Sequence, residues 1–490
     1  MTAAAAEPVV LAIDVGSSRV RATLISLRDG TSLASAARPT GAAGGELDAA
    51  GLWADVVAAV RELPRGDVEV RGAGVASLLS LVLVDDDGEP VRDALLWSDT
   101  RARAEAVRIG ERVGAGGRIA AGRRVTAELP AAKLAWIGHH EPAALRRARW
   151  ALSLKDFLVL HLTGRALTDL THASYSGLFD VSARRWEPSL IAAAELDAAL
   201  LPPVTGAWRA AGPLTAGAAS ELRLAPGIPI AAGGPDGTVG ALGAGAVRAG
   251  TTVDVAGTTD VLLHVLSAPA PDPTGTAVLN AHAAPDLWTL GGPTGSTGGA
   301  VEWAARLLGH GSAAAAHAAL DEQAEALPPG AGGVVFRPSL DGSRFPGWRP
   351  EERGAIDGLC ADHGPAHLFR AVQEGVAFTV AEGVDALRRR GAHVEEIVVV
   401  GGAAARPATL QLRADACGAD VLACSDREAT TRGAAILAAV ACGADPHPAS
   451  AAARFVAPGR RYRPDERAAE RLAGARARWR ALLAADAAPS

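Results

Sequence analysis

The stretch LAIDVGSSRVRATL at 11–24 runs an apolar strand into an acid, Asp14, then into Gly16, Ser17 and Ser18, before a second strand begins. Half a chain later TVDVAGTTDVLLHVL at 252–266 repeats that order: Asp254 stands 240 residues after Asp14, and Thr258 and Thr259 stand 241 residues after Ser17 and Ser18. A hairpin turn of this composition presents backbone N–H groups and hydroxyls together, which suits a concave site for phosphate oxygens. Taken singly, each turn is also an ordinary hairpin turn. The matched pair points to two halves that begin alike and could grip one triphosphate from both sides.

Such turns must be held by strands. VVLAIDV, IPIAAGG and EEIVVVGG read as buried strands, and they alternate with helical stretches of which LFRAVQEGVAFTVAEGVDALRRR at 368–390 is the clearest. There Val372, Val376, Val380, Val384 and Leu387 recur at spacings of four and three, one apolar face of a helix. Alternation of this kind predicts an α/β fold with sheets covered on both faces. At 490 residues and 49% hydrophobic the chain exceeds what one core fills, so two domains of similar size are expected.

Charge and cysteine usage exclude several classes of partner. The 48 basic and 54 acidic residues, net −6, are spread along the chain and leave no basic stripe for a nucleic-acid backbone. Lys133 and Lys155 are the only lysines. Cys360, Cys417, Cys424 and Cys442 are too few and too irregular for a disulfide framework or a paired metal site, and are expected to be buried thiols in a reducing cytoplasm. MTAAAAEPVV lacks the positive region of a leader, and no apolar run is long enough to span a bilayer, so no membrane partner is expected.

A series of landmarks in order carries a wider resemblance: IDVGSSRVRATL (13–24), LLWSDTRA (95–102), LPAAKLAWI (129–137), SLKDFLVLHLTG (153–164), GGPDGTVGALGAG (233–245), VAGTTD (255–260), GGAVEWAARLLG (298–309), RGAIDGLCADHGPAHLFRAVQEG (353–375), GGAAARPATLQLRAD (401–415) and TRGAAILAAVACG (431–443). The chain resembles the FGGY carbohydrate kinases almost end to end. The resemblance implies two ribonuclease H-like domains, of the kind shared with hexokinase and actin, with a cleft between them. The expected division is 1–247, with the sugar site, the first phosphate turn and the catalytic acid near its end, and 248–490, with the second turn and the adenosine site.

The implied chemistry is phosphoryl transfer from ATP to a sugar hydroxyl, which needs a metal on the phosphates, donors for the spreading charge and a base for the alcohol. Asp236, in the GGPDG turn after IPIAAGG, stands where the family has its base. Asp14 is placed to hold Mg²⁺ through water, with Asp236 as its neighbour in the metal site. Gly16, Ser17, Ser18 and Arg21 would meet the phosphates from one half, and Gly257, Thr258 and Thr259 from the other. Gly298, Gly401, Gly402 and Ala403 would let adenosine approach the backbone, a helix after GGA offering free N–H groups. Glu302 and Arg406 stand at nucleotide-contacting positions but carry other side chains than the amides of relatives.

The sugar site departs from the pattern. Where xylulose and gluconate kinases of the family carry a Met-His pair, this chain has Leu78 and Leu79, and leucine cannot pair a hydroxyl. Trp97, Asp99 and Arg101 remain as the expected wall, or as an Asp-Arg pair that only fixes its loop. The substrate expected is a small sugar or polyol, first a pentulose such as xylulose. Gluconate or another polyol or keto-sugar is the alternative within the class, and a catalytically silent nucleotide-binding regulator is the alternative outside it. A homodimer is a possible assembly.

Other features read as structural. Asp85, Asp86 and Asp87 before Gly88 make a hairpin turn, His139 and His140 and the run Arg388 to Arg390 end helices, and Lys155-Asp156 belongs to the fold. The arginines of ERAAERLAGARARWRALLAADAAPS are expected to be solvated charge on a surface helix followed by a short tail.

Overall fold

The computed structural model describes residues 6–64, 66–309, 313–424, 428–457 and 459–485, leaving aside the side chains of 313–317 and 484–485. The expected tail at 486–490 lies outside these residues. The fold is α/β, and the chain forms two compact units. The first takes 1–249 together with 265–289 and 428–456, and the second takes 250–264, 290–427 and 457–490.

In the first unit, strand Glu7–Val15 is apolar on both faces, as a central strand must be. It pairs antiparallel with Arg19–Ser26 through the 16–18 turn and parallel with Val68–Ser77 on its other side. Strands Pro229–Ala231 and Gly234–Pro235 continue beside Val68–Ser77. One face is covered by helix Ala49–Glu62, which buries Leu52, Val56, Ala59 and Val60 at helical spacing, and by Leu154–Thr163, started by a capping box between Ser153 and Asp156. The other face is covered by helix Ala429–Ala441, whose alanines pack on Val10, Ala12 and Ala76.

That second layer is thin because glycines replace side chains where backbones meet. A Cβ on Gly433 would collide with the carbonyl oxygen of Val239, one on Gly243 with that of Ala429, and one on Gly74 with that of Ala434. Helix Ala429–Ala441 is thereby seated on both the sheet and the short helix Asp236–Gly243.

The second unit repeats the scheme. Strand Thr252–Ala256 pairs antiparallel with Asp260–Leu266 through the 257–259 turn and parallel with Glu396–Gly401, which is followed by Asp420–Ala423. Helix Pro365–Arg389 buries Val372, Val376, Val380, Val384 and Leu387, the face its spacing predicts. Helix Glu466–Ala485 is not simply a carrier of solvated charge: Arg476 and Arg480 each reach Glu382 at 2.6 Å, and Trp479 is buried with its Nε1 donating to Phe336 O.

Candidate active site

In the first unit the 16–18 turn is closed by Gly16 N–H donating to Arg19 O at 2.9 Å, and Thr40 Oγ1 donates to Ser17 O at 2.8 Å. Ser17 and Ser18 stay exposed at its tip. Asp14, half-buried at the strand end, lies opposite Arg21 in the register, and Arg21 extends to Glu428 Oε1 at 2.7 Å. Burial, followed by the charge of Asp236, pushes the Asp14 carboxyl up to about 7, with Arg21 opposing and Glu428 adding to the rise.

Asp236 does not sit in a free turn. It is the first residue of helix Asp236–Gly243, where its Oδ1 accepts the Gly237 N–H at 2.7 Å. Burial raises its carboxyl to about 6, against the pull of that N–H and of His172. The strand end before it lies on a buried charged network. Lys155 Nζ pairs with Asp156 and, at 3.1 Å, with Asp169, whose Oδ1 meets His172 Nδ1 at 2.8 Å. Cβ atoms on Gly233 and Gly234 would lie 3.0 Å from the Lys155 side chain and 3.6 Å from Asp169 Oδ2. Lys155-Asp156 thus belongs to the fold, directly beneath the segment that carries Asp236.

The loop expected to wall the sugar site is held from several sides. Leu78 is buried and its N–H donates to Val15 O at 2.9 Å, beside the first turn. Leu79 is partly exposed and accepts the Trp97 N–H at 3.0 Å. Trp97 is 42% exposed, while Asp99 is buried and accepts both the backbone N–H of Arg101 at 3.0 Å and its Nε at 2.8 Å. These contacts hold the Asp99 carboxyl below the usual carboxylate range against its burial. Arg101 also meets Glu46 at 2.8 Å, and the buried Lys133 donates to Leu96 O. Leu79, Trp97, Asp99 and Arg101 are therefore brought together.

In the second unit the 257–259 turn, the start of helix Gly298–Leu308 and the 401–403 segment converge. Gly299 N–H donates to Thr258 O at 2.9 Å, and a Cβ on Gly298 would collide with Gly257 O. Gly401, at φ +90°, leaves room only for hydrogen, since a Cβ would lie 2.5 Å from Ala256 O. The segment after it, Gly402–Ala405, is a single 3₁₀ turn, and the α-helix begins at Pro407. Arg406 lies 3.5 Å from Asp321 and lines a cavity of about 210 Å³ with Asp321, Arg370, Gln373 and Thr409. Glu302 is exposed and, among the described residues, pairs with Arg306 of its own helix at 3.7 Å.

With this geometry in place, comparison with known proteins is decisive. The FGGY family of carbohydrate kinases, N-terminal domain, matches residues 9–243, and its C-terminal domain matches 253–442. The chain belongs to this family. Among curated relatives, the xylulose kinase of Klebsiella pneumoniae is 30% identical over 404 residues, 81% of this chain and 82% of that one. The solved xylulose kinase of Rhodospirillum rubrum is 30% identical, with a TM-score of 0.90 over 97% of this chain and 98% of that one. The gluconate kinase structure from Lactobacillus acidophilus shares the fold, at TM-score 0.91 and 21% identity over 98% of this chain and 99% of that one. As an FGGY kinase the protein is a sugar-directed phosphotransferase with a two-domain fold of the actin and hexokinase type.

Several residues at the FGGY site escape sequence reasoning. Glu428, next to Arg21 and Asp14, precedes helix Ala429–Ala441, and an acid before a helix reads as a cap. Arg123 is buried, lies over the Tyr175 ring at 4.4 Å, donates to Asn280, and is pushed down to about 10 by burial. Tyr175 is raised above its ordinary value by burial and senses Asp236. A buried arginine meeting a distant asparagine has no sequence pattern. Of the cysteines, Cys417 and Cys424 are buried and Cys442 half-buried as expected of thiols, but Cys360 is exposed because it lies in the loop after Ala355–Asp357, and none of the four is in a disulfide.

Proposed function

We propose that the protein transfers the γ-phosphoryl group of ATP to a hydroxyl of a pentulose, first D-xylulose, with Mg²⁺. The observation that carries this reading is the pairing of two carboxyls of unequal role in the first unit. Asp236 begins a helix held at its far end by glycine contacts, while Asp14 ends a strand and feels the charge of Asp236. The halves 1–247 and 248–490 divide the labour, the first providing metal and sugar and the second adenosine.

The residues present fit Mg²⁺. The Asp14 carboxylate accepts no hydrogen bond among the described residues, and its carboxyl is raised first by burial and then by the charge of Asp236, a cost to its ionised form that a bound cation would offset. No group of three or more His, Cys, Asp or Glu able to hold a metal is found among the described residues, which suits an ion that takes one or two carboxylates and completes its shell with water and phosphate. Asp14, with Asp236, would hold it, and the bound ion would neutralise charge on the phosphate oxygens. Asp236, deprotonated, accepts the proton of the attacking hydroxyl. In the first unit Gly16, Ser17, Ser18 and Arg21 offer donors suited to phosphate oxygens, and in the second unit Gly257, Thr258 and Thr259 do the same. Gly298, Gly401, Gly402 and Ala403 admit the nucleoside, with Glu302 and Arg406 at its edge. Leu78, Leu79, Trp97, Asp99 and Arg101 shape the sugar pocket, where the two leucines offer no donor. We place the enzyme in the cytoplasm, the compartment that four cysteines without a disulfide favour.

A second substrate reading, gluconate, is favoured by Arg123, a buried cation that feels the charge of Glu128 and lies over the ring of Tyr175, which senses Asp236. An ADP-release assay with D-xylulose, D-ribulose, gluconate, pentitols and glycerol decides between them, with Asp236→Asn as control. Turnover on a ketopentose that the control lacks supports the first reading. Turnover on gluconate alone moves the assignment to the second, and sugar-independent ATP binding with no turnover on any of them refutes both.

A further inference from the structure

The second unit holds a buried ion triad that none of the chemistry above uses. Arg413, on helix Pro407–Cys417, contacts Asp254 with Nη1 and Asp260 with Nη2, the latter at 2.6 Å. All three side chains are buried. Asp254 lies on the strand entering the 257–259 turn and Asp260 begins the strand leaving it, paired in register with Ala256. One guanidinium therefore ties both ends of the turn to the helix that follows the 401–403 segment.

Asp260 extends the tie to a third element. Its N–H donates to Thr297 Oγ1 at 2.7 Å, and its carbonyl accepts the Thr294 N–H at 2.9 Å and the Thr294 hydroxyl at 3.0 Å. Thr297 is the residue before helix Gly298–Leu308. The turn, the start of that helix and helix Pro407–Cys417 are thus locked to one another through the triad and the side chains of Thr294 and Thr297.

The triad is a poor way to gain stability. Among the described residues Asp254 Oδ1, Asp260 Oδ1 and Arg413 Nε have no hydrogen-bond partner, so the network is only partly satisfied there, and two carboxylates share one cation. Well-packed apolar residues hold such a space as well or better. What the triad supplies that apolar side chains would not is a fixed direction at each end of a short turn.

We propose that Arg413 is a positioning residue that, through Asp254 and Asp260, sets the 257–259 turn in the geometry required by the phosphates of ATP. The inference rests on the phosphate role given above to Gly257 and Thr258.

The test is the triple variant Asp254→Leu/Asp260→Leu/Arg413→Met, assayed by melting temperature, by ADP release with the sugar found active, and by amide exchange over 256–261. The expected result is a protein at least as stable as wild type, a KM for MgATP raised by about tenfold or more while the KM for sugar changes by less than about threefold, and faster exchange in the turn. Asp260→Asn, which keeps the shape and removes one charge, should raise the KM for MgATP and the exchange in the turn in the same direction, with a lower melting temperature, and serves if the triple variant does not fold. A folded variant of either kind with wild-type KM for MgATP and wild-type exchange overturns the inference. Thr258→Val separates it from the reading beneath: unchanged KM for MgATP there removes the phosphate role of the turn, and the inference with it.

Discussion

In the proposed phosphoryl transfer, two carboxyls a few residues from glycines, Asp14 and Asp236, carry the first unit's part, and their titration makes the proposal measurable. Asp236→Asn should lower kcat by about 10²- to 10⁴-fold while MgATP still binds, the range for loss of a positioned base; turnover within about tenfold of wild type would remove Asp236 from that role. Because the base must be ionised and burial holds its carboxyl up at about 6, kcat/KM should climb with pH through about 6 and then level, and a flat profile between pH 5 and 8 would contradict this. Asp14 bears on stability instead. Its folded-state value, about 7, lies above the unfolded one, so the folded form binds the extra proton between roughly pH 4 and 7 and stability is lost as pH rises through that window. Without metal, the melting temperature should fall from pH 5 to 8. Adding Mg²⁺ at pH 8 should raise it in the wild type and not in Asp14→Ala, and equal gains in the two would exclude Asp14 as the metal's holder. Asp14 and Asp236 stand out in the sequence because each is an acid beside glycines at the end of an apolar strand run, although Asp236 proves to begin a helix rather than a turn. Glu428, Arg123 and Tyr175 do not, since what matters is the approach of Glu428 to Arg21, of Arg123 to Tyr175 and Asn280, and of Tyr175 to Asp236, partners far away along the chain.

At the scale of elements, the helices and strands that carry the site follow from pattern: the valine face of Pro365–Arg389 and the two hairpins appear where periodicity puts them. The reading of GGPDG as a turn missed a helix because proline and glycine dominate local signals, whereas the small residues after Asp236 serve close packing. Helix Asp236–Gly243 lies against Ala429–Ala441 with backbone nearly touching backbone at Gly433 and Gly243. Gly433→Ala should cost about 1–3 kcal/mol in urea unfolding, the usual penalty for forcing atoms into a filled core. It should also reduce kcat, because the helix that yields carries Asp236 at its head. A stability loss with full kcat would show that the position of Asp236 does not depend on this contact.

At the scale of the molecule, sequence repetition shows two similar halves, but it does not show that 428–456 returns to the first compact unit. The reason is physical: the apolar face of Glu7–Val15 and Val68–Ser77 left bare by residues 1–249 is closed by alanines far along the chain. A fragment of 1–249 should accordingly be insoluble or molten, and co-expression with a 428–456 peptide should recover helical structure by circular dichroism; a well-folded 1–249 fragment would refute that dependence. Surface chemistry follows from another feature. Both lysines are buried, Lys133 under the Leu96 carbonyl and Lys155 in its carboxylate network, and the sequence has no others. The folded enzyme thus offers acylating reagents, amine cross-linkers and activated resins no side-chain amine at all, so modification of either lysine in an intact preparation registers molecules that have opened.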